Sequence, residues 1–158
     1  MRRIIAMLLI GCCVQSYAQM TIFTDSQQVE QGETFTADVK VTGFNNIVSM
    51  QFSMSWDADV LELIGVENFE LEGVRDDRFG LFIDGLRFAW IDDNLSGVTV
   101  EDSTTIFSVK LKALSVDDVS SIEITDAPAV IEVVDVNENF LSVTTEGGTI
   151  TVGEGSTT

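Results

Sequence analysis

Apolar and polar side chains take turns along most of this chain. From Thr34 to Thr42, Phe35, Ala37, Val39 and Val41 alternate with Thr36, Asp38 and Lys40. From Ile47 to Trp56, Val48, Met50, Phe52, Met54 and Trp56 alternate with Ser49, Gln51, Ser53 and Ser55. From Thr105 to Ala113, Phe107, Val109, Leu111 and Ala113 alternate with Ser108, Lys110 and Lys112. A period of two sends successive side chains to opposite faces of an extended backbone, so each run predicts a half-buried strand. Less regular runs predict more strands at Val60 to Val66, Phe79 to Asp84, Leu86 to Ile91, Ser121 to Ile124, Val130 to Val134 and Thr149 to Val152. A first strand spans Thr21 to Thr24 and Gln28 to Glu30, interrupted near Asp25-Ser26. Turn residues separate these runs at Gln31-Gly32, Gly43-Phe44-Asn45-Asn46, Asp84-Gly85 and Gly147-Gly148. Asp84-Gly85 between two apolar runs predicts a tight hairpin. No window after residue 18 sustains a helical period. Nine or ten strands at intervals of roughly ten residues predict an all-β fold, a β-sandwich or jelly roll.

The N-terminus reads differently. Arg2 and Arg3 precede a short apolar stretch from Ile4 to Ile10, and Ser16-Tyr17-Ala18 forms a small-x-small cleavage site. This predicts a signal peptide over residues 1–18, removed after Ala18. The apolar stretch falls well short of the roughly 20 residues that span a bilayer, so no transmembrane segment is expected in the mature chain. Leu9-Ile10-Gly11-Cys12 offers a competing reading, a lipobox in which Cys12 would be lipidated and anchor the protein to the outer membrane. The domain then occupies residues 19–153, and residues 154–158 are expected to be a disordered tail. Beside it no dockerin, enzyme or cell-wall anchor is read.

Composition narrows the function. Both cysteines, Cys12 and Cys13, fall in the leader, so the exported domain is expected to rest on its core without a disulfide. The chain carries a net charge of −18; without Arg2 and Arg3, 6 basic side chains face 26 acidic ones, a net −20. Such a surface repels phosphate backbones and excludes nucleic acid as a partner. Disorder is excluded by a hydrophobic content of 45%.

With no histidine and no cysteine after residue 18, no Ser-His or Cys-His nucleophile can be assembled, and the chain reads as a non-enzyme without cofactor. Asp76-Asp77 and Asp92-Asp93 could be proposed as paired carboxylates for glycoside hydrolysis, but adjacent acids on an extended chain diverge, and solvated loop charge accounts for them. Asp135-x-Asn137-x-Asn139 with Glu146 imitates the register of a calcium loop. Phe140 replaces the glycine that the sharp turn needs, so a plain turn between strands is expected and no metal site is assigned.

Several segments resemble the cohesin family. Val29-Glu30-Gln31-Gly32-Glu33-Thr34-Phe35-Thr36 is similar to its opening, and Phe52-Ser53-Met54-Ser55-Trp56-Asp57-Ala58-Asp59-Val60-Leu61-Glu62 to its F-x-L-x-Y-D-P-x-V-L-E stretch, with Trp56 for Tyr and Ala58 for Pro. Leu86-Arg87-Phe88-Ala89-Trp90 resembles its I-R-F-A-W strand. Thr105 to Ala113 and Gly147 to Val152 resemble its later strands. The resemblance implies a nine-stranded jelly-roll β-sandwich of two antiparallel-dominated sheets, with first and last strands adjacent. It also implies a secreted bacterial recognition module that binds a protein partner, for which a dockerin-bearing enzyme of polysaccharide breakdown is the candidate. The partner face would be formed by the third, fifth, sixth and eighth strands. Outward positions by alternation are Ser49, Gln51, Ser53, Gly80, Phe82, Asp84, Arg87, Ala89 and Ile91, with Phe82 and Ile91 as apolar anchors. Direct polysaccharide binding is the alternative, as is a structural surface or adhesion role. Trp56 and Trp90, however, fall in phase with Phe52 and Phe88 and are expected in the core, which leaves no flat aromatic platform for sugar rings.

Overall fold

The structure, a computed structural model, describes residues 19–155; the expected leader, Cys12 and the last three residues of the tail lie outside the described residues. Twelve strands build two facing sheets. They are β1 (Gln19–Phe23), β2 (Gln27–Glu30), β3 (Thr34–Thr42), β4 (Ile47–Ser55), β5 (Leu61–Glu67) and β6 (Phe79–Phe82). The others are β7 (Gly85–Ile91), β8 (Thr104–Ala113), β9 (Asp118–Thr125), β10 (Glu132–Asp135), β11 (Ser142–Glu146) and β12 (Gly148–Gly153). One 3-10 turn, Asp76–Arg78, precedes β6. The five-stranded sheet runs β11-β1-β3-β8-β5. The seven-stranded sheet runs β2-β12-β9-β4-β7-β6, with β10 also paired to β4.

Twelve segments reduce to nine strands, because three pairs are single strands that are interrupted. The chain leaves β1 in one sheet and enters β2 in the other across Thr24-Asp25-Ser26, the break predicted at Asp25-Ser26. β11 and β12 make the same crossing at Gly147. These two split strands run parallel to each other, β1 beside β11 and β2 beside β12, so the first and last strands close both sheets. β9 and β10 lie end to end along one edge of β4, at Ser53–Ser55 and Ile47–Gln51, with residues 126–131 looping out between them. All other pairings are antiparallel. β11 was not legible: in Ser-Val-Thr-Thr-Glu only Val143 is a strong hydrophobe.

Alternation fills the core. Phe35, Ala37, Val39 and Val41 of β3, and Phe107, Val109, Leu111 and Ala113 of β8, are all buried. Aromatic rings join the two layers: Phe107 of β8 lies 4.8 Å from Phe88 of β7 and 4.9 Å from Phe79 of β6, edge-on to the latter. Such pairs contribute about 0.5–1.5 kcal/mol each beyond the area they bury. Trp90 is buried and donates its indole N–H to the Glu72 carbonyl at 2.8 Å. Trp56 is buried too, its indole N–H without a partner among the described residues.

Ser108 of β8, on the polar side of the alternation, is fully buried and donates its hydroxyl to Asp38 at 2.6 Å, and two further details depart from the pattern. The pairing of β4 with β10 slips at Val134/Asp135, so Ile47 takes the core position and Val48, expected inside, is only half-buried. A bulge places one extra residue in a strand and reverses the faces beyond it. The predicted hairpin forms one residue early: Phe82 pairs with Gly85, so Ile83 and Asp84 make the turn. Gly85 opens β7, where a Cβ would strike the Met54 carbonyl oxygen. The glycine is there for close approach rather than for turning the chain.

Candidate functional site

The outer face of the seven-stranded sheet is fixed by register. In antiparallel pairs, directly opposed residues point the same way. Gly80 on β6 opposes Arg87 on β7, and Arg87 opposes Ser53 on β4. One row along, Ala89 opposes Gln51, which opposes Glu132 on β10; the next row is Ile91, Ser49 and Val134. Phe82, Gly85 and Ser55 form the row on the other side. Their neighbours Phe79, Leu86, Phe88, Trp90, Met50 and Phe52 point inward. Eight of the nine residues read from the sequence therefore point to the same side of the sheet.

Exposure sorts them. Arg87, Ala89, Phe82 and Ile91 are exposed, the last two at 45% and 44%, and Gly80, Ser49 and Gln51 are half-buried. Two placements need correction. Ser53 was expected at the surface but is fully buried: its hydroxyl donates to the Ala129 carbonyl at 3.0 Å and accepts the Ala129 N–H at 2.8 Å. The loop of residues 126–131 covers it, a contact between segments 76 positions apart that no local pattern encodes. Asp84 sits in the β6–β7 turn rather than in a strand row, its carbonyl accepting the Trp56 N–H.

Two residues that the sequence reading missed complete the face. Glu132 and Val134 flank the buried Val133 on β10, so the same alternation would have found them had Val130 to Val134 been placed beside β4. Arg78 borders it from the 3-10 turn. Its guanidinium donates to the Gly73 carbonyl at 3.2 Å and to Asp93 at 3.1 Å. A shallow cleft of about 180 Å³ lies between Arg78, Gln51, Ala89, Ile91 and Glu132. A larger apolar groove of about 670 Å³ runs past Phe82 between the edge strands β5 and β6, lined by Leu63, Ile64, Leu81 and Ile83.

The paired acids are structural, and not all are solvated. Asp92 is buried, against expectation, and its carboxylate accepts the N–H groups of Asn94 (3.0 Å), Ser96 (2.9 Å) and Gly97 (2.9 Å). These bonds hold its pKa below the ordinary 3.8, with burial opposing them. Asp93 takes Arg75 and Arg78, and Asp77 takes Arg75 at 3.3 Å. Asp135 folds its own loop: it accepts the N–H groups of Asn137 and Asn139, each at 2.9 Å, and the Asn139 side-chain amide. Its pKa is lowered chiefly by Asn139. Carboxylate oxygens spent on backbone donors are poorly placed to hold calcium, and Glu146 lies on β11 in the other sheet.

A family model described as "Cohesin domain" matches residues 19–152. A non-cellulosomal cohesin from the hyperthermophilic archaeon Archaeoglobus fulgidus superposes with a TM-score of 0.70 at 23% identity, over 85% of this chain and 91% of that one. A type I cohesin–dockerin complex from Clostridium thermocellum contains a chain that superposes with a TM-score of 0.73 at 11% identity, over 85% and 99%. A solution structure from Clostridium acetobutylicum gives 0.70 at 15% identity, over 87% and 92%. No curated protein matches the sequence.

Proposed function

We propose that this chain, which belongs to the cohesin family, is a non-catalytic module that recognises a protein partner through the outer face of its seven-stranded sheet. The partner is a dockerin-bearing protein of polysaccharide breakdown. The module works outside the cell, delivered there by residues 1–18.

One observation supports the reading above the rest. Register gathers small and polar side chains, Ser49, Gln51, Gly80 and Ala89, between two exposed apolar residues, Phe82 and Ile91. A flat sheet face with apolar anchors at its margins suits a rigid protein partner that already carries its own fold. Solved relatives with this fold include cohesins in complex with dockerins. Direct glycan binding is weakened by the burial of both tryptophans, which leaves the face without an aromatic ring at its centre.

The test is a titration of the domain with a panel of purified dockerin-bearing proteins. Phe82→Ala and Ile91→Ala should each weaken binding by more than ~1 kcal/mol, and Ala89→Trp, a bulky block mid-face, should abolish it. Unchanged affinity for Ala89→Trp in a variant with an unaltered melting curve would move the interface elsewhere.

A further inference from the structure

Arg87 stands at the centre of this face without a partner. Among the described residues, Lys40 pairs with Asp25, Arg75 and Arg78 with Asp93, and Lys110 with Glu67. Among the described residues the Arg87 side chain has neither ion pair nor hydrogen bond, although the chain holds 26 acidic residues. Its row explains this. Gly80 on one side has no side chain, and Ser53 on the other is buried beneath the loop of residues 126–131. Gly80 also gives the arginine a seat: a Cβ there would stand 2.5 Å from Arg87 Nε and 2.9 Å from its Cγ. The stem therefore lies across the β6 backbone, beside a cleft of about 240 Å³ bounded by Asp77, Arg78, Phe79, Gly80 and Ala89, in which the Asp77 carboxylate is taken by Arg75 at 3.3 Å and Arg78 at 3.9 Å.

The far side of the face has the opposite sign. Glu132 on β10 has no ion pair among the described residues. Two strand spacings and two residues separate it from Arg87, which places the two Cα atoms about 12 Å apart. The interface is thus dipolar, with one free cation on β7 and one free carboxylate on β10.

We propose that Arg87 is a carboxylate-binding residue, and that the partner of this face presents an acidic side chain to it and a basic one to Glu132. The inference rests on the sheet face being the interface, and it names the chemistry that docks there. An arginine fork suits a carboxylate in two-point contact, and a guanidinium desolvated by a partner without such a mate would oppose binding. Long-range attraction to a chain of net −18 favours basic partners everywhere else, so a required acid is a local and discriminating feature.

The experiment uses a display library of randomised three-helix bundles, selected in parallel on the full domain and on its Arg87→Glu form. Binders from the wild-type selection should carry Asp or Glu at a recurrent position and lose at least about tenfold affinity for Arg87→Glu. The Arg87→Glu selection should return Lys or Arg at that position. Wild-type binders that Ala89→Trp abolishes but Arg87→Glu leaves within about twofold overturn the carboxylate assignment and keep the face. Binders indifferent to Ala89→Trp overturn the face itself. Both variants change exposed side chains, and an unchanged melting curve checks that each is folded.

Discussion

Asp92 and Asp135 each close a loop by accepting backbone N–H groups; in the sequence Asp92 reads as solvated loop charge and Asp135 only as part of a turn between strands. What reveals these roles is the positioning of the donors, which depends on where β7 and β10 deliver the chain. The consequence is a pH dependence of known sign. Both folded-state pKa values lie below the ordinary 3.8, so the unfolded chain binds protons first as pH falls. Their stabilisation is complete above 3.8 and is lost as pH falls through the folded values. Asp92→Asn should therefore have a lower urea midpoint than the wild type at pH 7, and the gap should close as pH falls below the ordinary 3.8 and through the folded-state value. A gap of constant size would mean that the carboxylate charge is irrelevant to the loop. Arg87 is a residue whose meaning came from both sources. Alternation put it on a face, and only the tertiary neighbours show that it is unpaired.

Among the elements, the strands with strong alternation, β3, β4 and β8, were legible almost to their ends, because burial of one face is what their side chains encode. The failures share one cause. Val48 and the Asp84-Gly85 turn were displaced by a single position, by a bulge and by a hairpin register that pairing with a neighbouring strand decides. β11 was missed because a strand at the edge of a sheet buries little and needs few hydrophobes. The crossing from β11 to β12 gives a direct test. A Cβ at Gly148 would strike the Asp25 carbonyl oxygen, a backbone atom fixed by the opposite crossing from β1 to β2. Gly148→Ala should cost roughly 1–3 kcal/mol in chemical denaturation. Gly65→Ala, in β5 with nothing within 4 Å of the added methyl, should be neutral or stabilise by up to ~1 kcal/mol. Equal effects at the two sites would show that backbone entropy, not space, governs both.

Over the whole molecule the balance is between an apolar core and a surface of like charge. Four basic side chains are paired with carboxylates in the structure, and most acids are left to repel one another. Raising ionic strength from about 0.01 M to about 0.15 M shortens the screening length from about 30 Å to about 8 Å. The melting temperature of the domain should rise by ~2–5 °C over that range, read by calorimetry. A fall would show that the ion pairs outweigh the repulsion. Binary pattern, composition and the absence of His and Cys after residue 18 were enough to determine an all-β sandwich with its phenylalanines inside. Alternation also gave the outward positions on each strand, because that depends on local period alone, whereas the choice of which strands form the face came from the resemblance to the cohesin family. Tertiary structure decided the rest: the burial of Ser53, the turn at Ile83-Asp84, the addition of Glu132 and Val134 to the face, and the free guanidinium of Arg87. Each of these depends on which strand lies beside which, and that pairing is set by contacts between residues far apart in the chain.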